Sequence, residues 1–270
     1  MVDIDAAIGF VVARGDVVDR ARLSWLRAGI TPAEEVLARA ELGQTAAGGW
    51  PAQWGTGVPS VDATCFRIAE LDDLNGLARP AASRALDWLA NRQRPDGCWE
   101  EDADLADAAP PWATPGDPEA RFYLTTNATF WLTVRAYDSA VADPLEPAPF
   151  AEPIAAAAYA IKGSLEEDGS WPGYLVSGWL AHAVLHRAEW FYEAARISVA
   201  LTDRVPAMSA ADAAWMTAAL RRIGHGPEDP LVKAGLQRLD ETQRRDGSWA
   251  SDDSPAFDVH TTLTGIRAVR

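Results

Sequence analysis

A short turn motif that ends in tryptophan recurs four times and constrains this sequence more than any other feature. The four copies are Gly48-Gly49-Trp50, Asp96-Gly97-Cys98-Trp99, Asp168-Gly169-Ser170-Trp171 and Asp246-Gly247-Ser248-Trp249. Self-similarity of this kind indicates a repeat architecture. Glycine accepts the positive φ at which helices commonly end, and aspartate caps such turns, so each copy predicts a reversal of the chain. The tryptophan is then expected to bury its ring between neighbouring repeats.

Apolar helical patterns flank the turns, which makes the repeating unit a helical hairpin. We predict helices at residues 3–14, 16–28, 31–42, 60–73, 80–93, 119–138, 150–164, 175–187, 189–203, 209–223, 229–243 and 257–270. Twelve helices form six hairpins, and no convincing strand or linker interrupts them. The sequence therefore predicts an all-α fold, an (α/α)6 toroid that forms a single domain over residues 1–270. Gln93, Glu166 and Gln243, which stand just before their turns, are expected to hydrogen-bond helix ends or a neighbouring indole.

Charge and composition exclude several classes of protein. The formal net charge is −15, from 24 basic and 39 acidic residues, whereas nucleic-acid binding needs clustered lysine and arginine. No apolar run approaches the roughly 20 residues of a membrane span, and no secretory pattern opens the sequence. The two cysteines are too few for a disulfide framework. These observations predict a cytoplasmic protein with no transmembrane segment.

The turns resemble the QW motif, Gln-x-x-Asp-Gly-Ser-Trp, of the squalene–hopene cyclase and protein prenyltransferase superfamily, most clearly at residues 93–99 and 243–249. The resemblance covers most of the chain and implies the toroid, a fold that hosts several chemistries. Class II terpene cyclases of that family carry Asp-x-Asp-Asp at the start of an inner helix, and the middle aspartate protonates an alkene or epoxide. The resemblance places Asp62 at that position, with Ser60 and Ala63 where the family has flanking acids.

The loss of the flanking acids matters, because a carboxylic acid that protonates carbon needs its proton held and its conjugate base stabilised. Ser60 could donate a hydrogen bond to Asp62. Otherwise the reaction is less demanding, or the acid is completed from another repeat. Asp258 and His260 open the last inner helix and could meet Asp62, where the histidine would orient the acid or receive its proton. The alternative is that both aspartates cap helices and that His260 is structural.

Aromatic residues on the inner helices are candidates for the walls of a cavity. We expect Tyr123, Trp179 and Phe66 to line it, where aromatic faces attract a developing carbocation; the alternative is that they are core residues. Arg121 could bind an anionic group of the substrate or pair with Asp117 or Glu119. We interpret the acidic residues at 70–73 as a solvated helix end and the acidic run at 100–104 as exposed.

The leading functional hypothesis is a class II-like terpene cyclase that acts on a small, apolar, linear isoprenoid or polyene by proton-initiated cyclisation. It requires no organic cofactor, and magnesium would be needed only for a diphosphate substrate. The family's larger cyclases have two helical domains, so a homo-oligomer or a partner protein could complete the pocket here.

Two alternatives remain open. One is prenyl transfer with a metal-activated nucleophile, because His260 resembles the zinc-binding histidine of protein prenyltransferases. The matching Asp-x-Cys is misplaced: Asp62 and Cys65 are one residue too far apart, and Asp96 and Cys98 lie in a turn, so zinc is not expected. The other alternative is a non-catalytic toroid that binds an apolar ligand.

Overall fold

The computed structural model describes residues 2–55 and 57–270, and α-helix dominates these residues. The described helices are α1 (Ile4–Arg14), α2 (Val17–Ala28), α3 (Glu34–Ala40), α4 (Val61–Asp73), α5 (Pro80–Asn91), α6 (Pro118–Ala142), α7 (Ala151–Gly163), α8 (Leu175–Arg187), α9 (Phe191–Thr202), α10 (Ala210–Arg222), α11 (Pro230–Thr242) and α12 (Asp258–Val269). Each coincides with a predicted helix, so the all-α prediction is confirmed. A two-residue antiparallel pair, β1 (Trp50–Pro51) with β2 (Pro59–Ser60), was not predicted, because such short strands show no alternation.

The chain separates into two compact units. The first unit comprises Met1–Ala40, Asp73–Asn75 and Ser198–Arg270, and the second comprises Glu41–Asp72 and Gly76–Ile197. In the first unit α10 packs on α11 and α12, and α12 also contacts α1 and α2. In the second unit the long helix α6 packs on α7 and α8. The single domain over residues 1–270 stays a prediction.

The tryptophan turns join the two helices of a hairpin through hydrogen bonds. Trp50, Trp99 and Trp249 are buried. Their indole N–H groups donate to the backbone carbonyls of Leu42 (3.1 Å), Leu89 (2.8 Å) and Leu239 (2.8 Å), which precede the turns. Their backbone N–H groups donate to the hydroxyls of Thr64 (2.9 Å), Thr125 (3.0 Å) and Thr262 (3.1 Å), which lie in the following helices. The predicted burial of the tryptophan rings at these three turns is therefore confirmed.

Glutamine side chains attach the turns to a neighbouring helix, as predicted for Gln93 and Gln243. The Gln93 side-chain amide donates to the carbonyl of Gly97 (3.0 Å) within its own turn and to that of Pro153 (2.8 Å) in α7. The Gln243 amide donates to the carbonyl of Asp3 (2.9 Å), which caps α1. The last turn of the chain is thereby bonded to the first helix.

The prediction for Glu166 is wrong by one position, and Gln44 was missed. The backbone N–H of Glu166 donates to Ser170 (3.0 Å) inside the turn, so Leu165 stands where the other turns have glutamine. Gln44 has the glutamine role in the first turn, since its side chain donates to Gly48 (2.8 Å) and also to a carbonyl of α5 (2.7 Å).

Glycine is required in these turns for two reasons that act together. Gly97 and Gly247 have φ of 82° and 86°, in the left-handed region that favours glycine. A Cβ atom at Gly97 would lie 2.5 Å from the carbonyl oxygen of Ala156, and one at Gly247 would lie 2.2 Å from the carbonyl carbon of Ala6. The turn therefore approaches the next helix so closely that a side chain would separate them.

Candidate functional site

The candidate site is built around the N-terminus of α4, whose first backbone N–H groups have no partner within the helix. The Glu101 carboxylate accepts hydrogen bonds from the N–H groups of Val61 (2.8 Å) and Asp62 (3.0 Å) and from the Ser60 hydroxyl (2.7 Å). Ser60 Oγ in turn accepts from the N–H of Ala63 (3.1 Å). Ser60 and Glu101 therefore cap α4, and the Asp62 carboxyl group is not used for capping.

The Asp62 carboxyl accepts a hydrogen bond on each oxygen. The Tyr123 hydroxyl of α6 donates to Oδ1 (2.9 Å), and the Trp112 indole donates to Oδ2 (3.2 Å). Asn127, one turn further along α6, donates to the Tyr123 oxygen (3.1 Å) and orients the hydroxyl towards Asp62. Tyr123 and Asn127 are both buried, so their two hydrogen bonds fix the position of the acid.

Burial governs the protonation of this group. It raises the pKa of Asp62, and the hydrogen bonds from Tyr123 and Trp112 offset the increase only in part. It also raises the pKa of Glu101, although the hydrogen bonds from the Asp62 N–H, the Ser60 hydroxyl and the Val61 N–H lower it in part, and repulsion between the two carboxylates adds a smaller increase. The pKa values of Tyr123 and Cys65 lie well above their ordinary values, chiefly through burial and then through the charge of Asp62. At neutral pH the tyrosine and the thiol are therefore neutral.

Exposed aromatic side chains lie beside the acid. Phe66 is one turn beyond Asp62 on α4, hence on the same side of that helix, and is 49% exposed. Trp112, in a short 3-10 helix at Pro111–Ala113, is 43% exposed although its indole is bonded to Asp62. An apolar molecule that contacts these rings would have a carboxylic acid within reach.

Ser60, Trp179 and Arg121 were predicted for the site, but their surroundings differ from those expected. Ser60 donates to Glu101 and not to Asp62, so the predicted direct hydrogen bond between them is wrong. Trp179 is fully buried in α8 and presents no exposed face.

Arg121 pairs with Asp96 and lies 3.4 Å from Glu100, so its pairing with Asp117 or Glu119 is also wrong. The turn of the second repeat curves back over the start of α6, which brings Asp96 and Glu100 to the guanidinium. Both acids therefore neutralise Arg121 within the second unit.

Asp258 and His260 lie in the first unit and have structural partners there. Asp258 pairs with Arg244 (2.6 Å) and accepts a hydrogen bond from the N–H of Ser251 (2.8 Å). The Nδ1 atom of His260 lies 3.0 Å from Arg22, and because arginine only donates, Nδ1 accepts. Burial and the Arg22 charge lower the pKa of His260 to about 4. His260 is therefore neutral at pH 7, and its convergence with Asp62 stays a prediction.

Asp73, at the end of α4, is buried and ionised, which contradicts its interpretation as part of a solvated helix end. Arg22 donates to its Oδ2 from Nε (3.1 Å), and Arg267 donates to its Oδ1. Burial alone would raise the pKa of Asp73, but the two arginines outweigh burial and lower it. The pattern of acids at residues 70–73 gave no sign of these distant arginines.

Glu101, Trp112 and Asn127 are the residues of the site that the sequence did not reveal. Asn127 had a usable signal, since its spacing of four from Tyr123 places both on one face of α6. Glu101 lies within the acidic run at 100–104 that we interpreted as exposed, yet it is only 5% exposed. Nothing local distinguishes it from its neighbours.

Within the described residues, no group of three or more histidine, cysteine, aspartate or glutamate side chains is arranged to hold a metal ion. Asp96 and Cys98 belong to the second tryptophan turn, where the N–H of Cys98 donates to the Asp96 carboxylate (3.2 Å). In the same part of the chain, no helix is both long and apolar enough to cross a membrane.

Comparison with known proteins gives structural neighbours only. No protein-family model matches the chain, and no curated protein sequence matches it. A protein from Actinoplanes superposes with a TM-score of 0.63 at 18% identity, over 99% of this chain and 97% of that chain. The type II terpene cyclase MstE from Scytonema, in its apo form, superposes with a TM-score of 0.59 at 15% identity, over 98% and 96%.

A variant of MstE in complex with its substrate, geranylgeranyl dihydroxybenzoate, gives the same TM-score of 0.59 at 15% identity, over 98% of this chain and 95% of that chain. These likenesses span nearly the whole of both chains. They confirm the predicted fold class, the all-helical toroid fold of terpene cyclases. They also show that a solved type II cyclase has about the length of this chain.

Proposed function

We propose that this protein is a class II-like terpene cyclase in which Asp62 protonates an alkene or epoxide of a linear isoprenoid. The observation that carries the proposal is the Asp62 carboxyl itself, which is enclosed enough to raise its pKa and accepts a hydrogen bond on each oxygen. The fold supports the proposal, because MstE shares it and binds a geranylgeranyl substrate. Asp62 is also the residue that the resemblance to class II cyclases selected.

The surroundings of Asp62 suit a general acid in two ways. Burial disfavours the carboxylate and raises the pKa of Asp62, which favours the protonated acid. The hydrogen bonds from Tyr123 and Trp112 stabilise the carboxylate that forms when the proton leaves, and being already in place they need no reorganisation. Burial thus favours the protonated acid before transfer, and the two hydrogen bonds stabilise its conjugate base afterwards.

The proposed reaction begins when the Asp62 O–H bond breaks and the proton forms a C–H bond with one carbon of an alkene. The π electrons of that alkene are consumed, so its other carbon becomes a cation, which a second alkene attacks to form the ring bond. The final cation loses a proton to water, and Asp62 regains one from water. Substrate and product are therefore isomers, and the acid is restored. The exposed faces of Phe66 and Trp112 can attract the cation while it exists.

The charges near Asp62 favour an uncharged substrate end at the acid. Eight acidic residues and no lysine or arginine occur between residues 95 and 120. The basic side chains that flank this segment are neutralised, since Arg92 pairs with Asp102, and Arg94 and Arg121 contact Glu100. A diphosphate beside Asp62 would be repelled, whereas an alkene or epoxide would not.

The proposal is tested with Asp62→Asn, which keeps the size of the side chain and removes the transferable proton. The protein is incubated with geranylgeranyl dihydroxybenzoate, polyprenyl alcohols, their terminal epoxides and their diphosphates, and products are identified by mass spectrometry. We expect a cyclised isomer from the wild type and a fall in turnover of about 10²- to 10⁴-fold in the variant, the usual contribution of a general acid.

The matched control is Asp104→Asn, an exposed acid in the neighbouring loop, which should keep wild-type turnover. If Asp62→Asn turns over the substrate as fast as this control, Asp62 is not the proton donor.

A further inference from the structure

We propose that Glu101 is the second carboxylate of the acid site, and that its negative charge keeps a single shared proton on Asp62. The inference rests on the proposed function for its role in catalysis, but the position of the proton can be measured without turnover. Glu101 would be a positioning residue, because it acts on Asp62 and does not itself meet the substrate.

The hydrogen bonds assign the charge to Glu101. Its carboxylate receives three donors: the Ser60 hydroxyl at 2.7 Å, the Val61 N–H at 2.8 Å and the Asp62 N–H at 3.0 Å. Two of these belong to the first turn of α4, where the helix dipole also favours an anion. A carboxylate only accepts, so it suits three donors, whereas a protonated Glu101 would direct a hydrogen at one of them.

The hydrogen bonds to Asp62 stabilise a negative charge less well than those to Glu101. It receives two donors, and one of them, the Trp112 indole, is the longer contact at 3.2 Å and belongs to a half-exposed side chain. Glu101 is bonded to the backbone N–H of Asp62, and the charge of the Asp62 carboxylate acts on Glu101, so the two carboxyl groups are electrostatically coupled. Repulsion between two carboxylates in an enclosed site disfavours the ionisation of both, so we expect one proton to remain with the pair.

The other groups that face the pair do not compensate a second negative charge. Tyr123 from α6 and Cys65 from α4 are neutral, and burial raises the pKa of both. In the part of the chain that the structure describes, no basic side chain bonds to either carboxyl. Arg92 and Arg94, which flank the segment, bond instead to other acids of the same loop.

Glu101 accounts for the altered acid motif. Where the cyclase family has an acid two residues before the proton donor, this chain has Ser60, and Ser60 delivers its hydroxyl to Glu101. The acid is thus supplied from a segment 40 residues beyond Val61. A serine at position 60 and a glutamate at position 101 together replace the missing carboxylate.

The proton is located by infrared spectroscopy of the full-length protein without substrate, through the C=O stretch of protonated carboxyl groups as a function of pH. When the infrared spectrum of Asp62→Asn is subtracted from that of the wild type at neutral pH, one band of a protonated carboxyl group should remain. In Glu101→Gln the same band should disappear at a pH lower by about one unit or more, because a neighbouring charge of like sign has been removed. A band that persists in Asp62→Asn and vanishes in Glu101→Gln overturns the proposal, as does the absence of any band in the difference.

The pH dependence of turnover is an independent measurement, and a purely structural role of Glu101 as a helix cap would not change it. Asp62 must be protonated to react, so turnover falls as pH rises through its pKa, and Glu101→Gln should shift this alkaline limb to lower pH by the same amount as the band. Glu100→Gln is the matched control, since it removes an adjacent charge that makes no bond to α4, and its limb should not move.

The outcomes separate the two proposals. If the alkaline limb of turnover shifts equally in Glu100→Gln and Glu101→Gln, the proposed role of Glu101 is wrong. The proposed function is still supported in that case, provided that Asp62→Asn is inactive. If no variant or wild type turns over any substrate, the infrared bands alone decide the role of Glu101. If Glu101→Gln does not fold, the difference between wild type and Asp62→Asn still decides which residue holds the proton.

Discussion

Replacing Tyr123 by phenylalanine removes one hydroxyl that performs two tasks, donating to Asp62 at 2.9 Å and accepting from Asn127 at 3.1 Å. The first bond gains strength when Asp62 becomes a carboxylate, so its loss falls on the transition state for proton transfer. A hydrogen bond to a charged group is worth about 1.5–3 kcal/mol. At about 1.4 kcal/mol for each factor of ten, kcat should fall by about 10- to 150-fold.

The pH dependence of turnover in Tyr123→Phe gives a second prediction, which has a definite direction. The hydrogen bond from Tyr123 lowers the pKa of Asp62 against the larger effect of burial. Without it the pKa rises further, and because the protonated acid is the active form, the alkaline limb of turnover moves to higher pH while the maximum falls. The amide of Asn127 also loses its acceptor, at a cost of about 1–3 kcal/mol in the free energy of unfolding.

The assay is steady-state turnover between about pH 3 and pH 10, a range that spans the ordinary carboxyl pKa of about 4 and the values raised above it. Urea unfolding is measured in parallel. Tyr159→Phe, at a side chain that is 71% exposed, is the matched control and should change neither quantity. A Tyr123→Phe enzyme with wild-type kcat, or with an alkaline limb displaced to lower pH, would refute the assignment of Tyr123 to the acid.

Two further predictions concern stability. Asp73→Asn removes the buried negative charge to which Arg22 and Arg267 both bond and should cost about 3–5 kcal/mol in urea unfolding. Because the arginines lower the pKa of Asp73, this contribution is present at neutral pH and lost as pH falls through that lowered pKa. An unchanged unfolding midpoint would contradict it. Gly247 has a positive φ of 86° and closely approaches α1, so Gly247→Ala should lower the free energy of unfolding, measured by calorimetry, by more than about 1 kcal/mol. Gly163 has open space where a Cβ atom would lie, so Gly163→Ala should be neutral or stabilising.

The helices could be predicted from the sequence because their signals are local. The turns carry glycine for positive φ, tryptophan for burial and glutamine for the bond to the next helix, and each depends on residues within a few positions. Glu166 shows the limit of this reasoning, since a shift of one residue placed it outside the glutamine position. The longest helix, α6, extends to Ala142 and exceeds its predicted end because nothing in the local sequence stops it at 138.

The candidate site could be predicted only in part, because its decisive contacts join residues that are distant in sequence. Asp62 was found through the resemblance of its motif, but its bond to Tyr123 spans 61 residues and has no local signal. Asp73 is an acid at a helix end like many others, and only the fold brings Arg22 and Arg267 to it across 51 and 194 residues. Glu101 differs from the less buried acids beside it solely in its burial against α4.

The central claim, that cyclisation begins with a proton delivered by Asp62, is tested most directly by running the reaction in D₂O with an alkene-terminated substrate such as geranylgeranyl dihydroxybenzoate. Because Asp62 exchanges its proton with solvent, the cyclised product should carry one carbon-bound deuterium at the position that was protonated, and Asp62→Asn should yield at most about one hundredth as much of this product. A cyclised or transferred product without carbon-bound deuterium, formed by the wild type, would contradict the account.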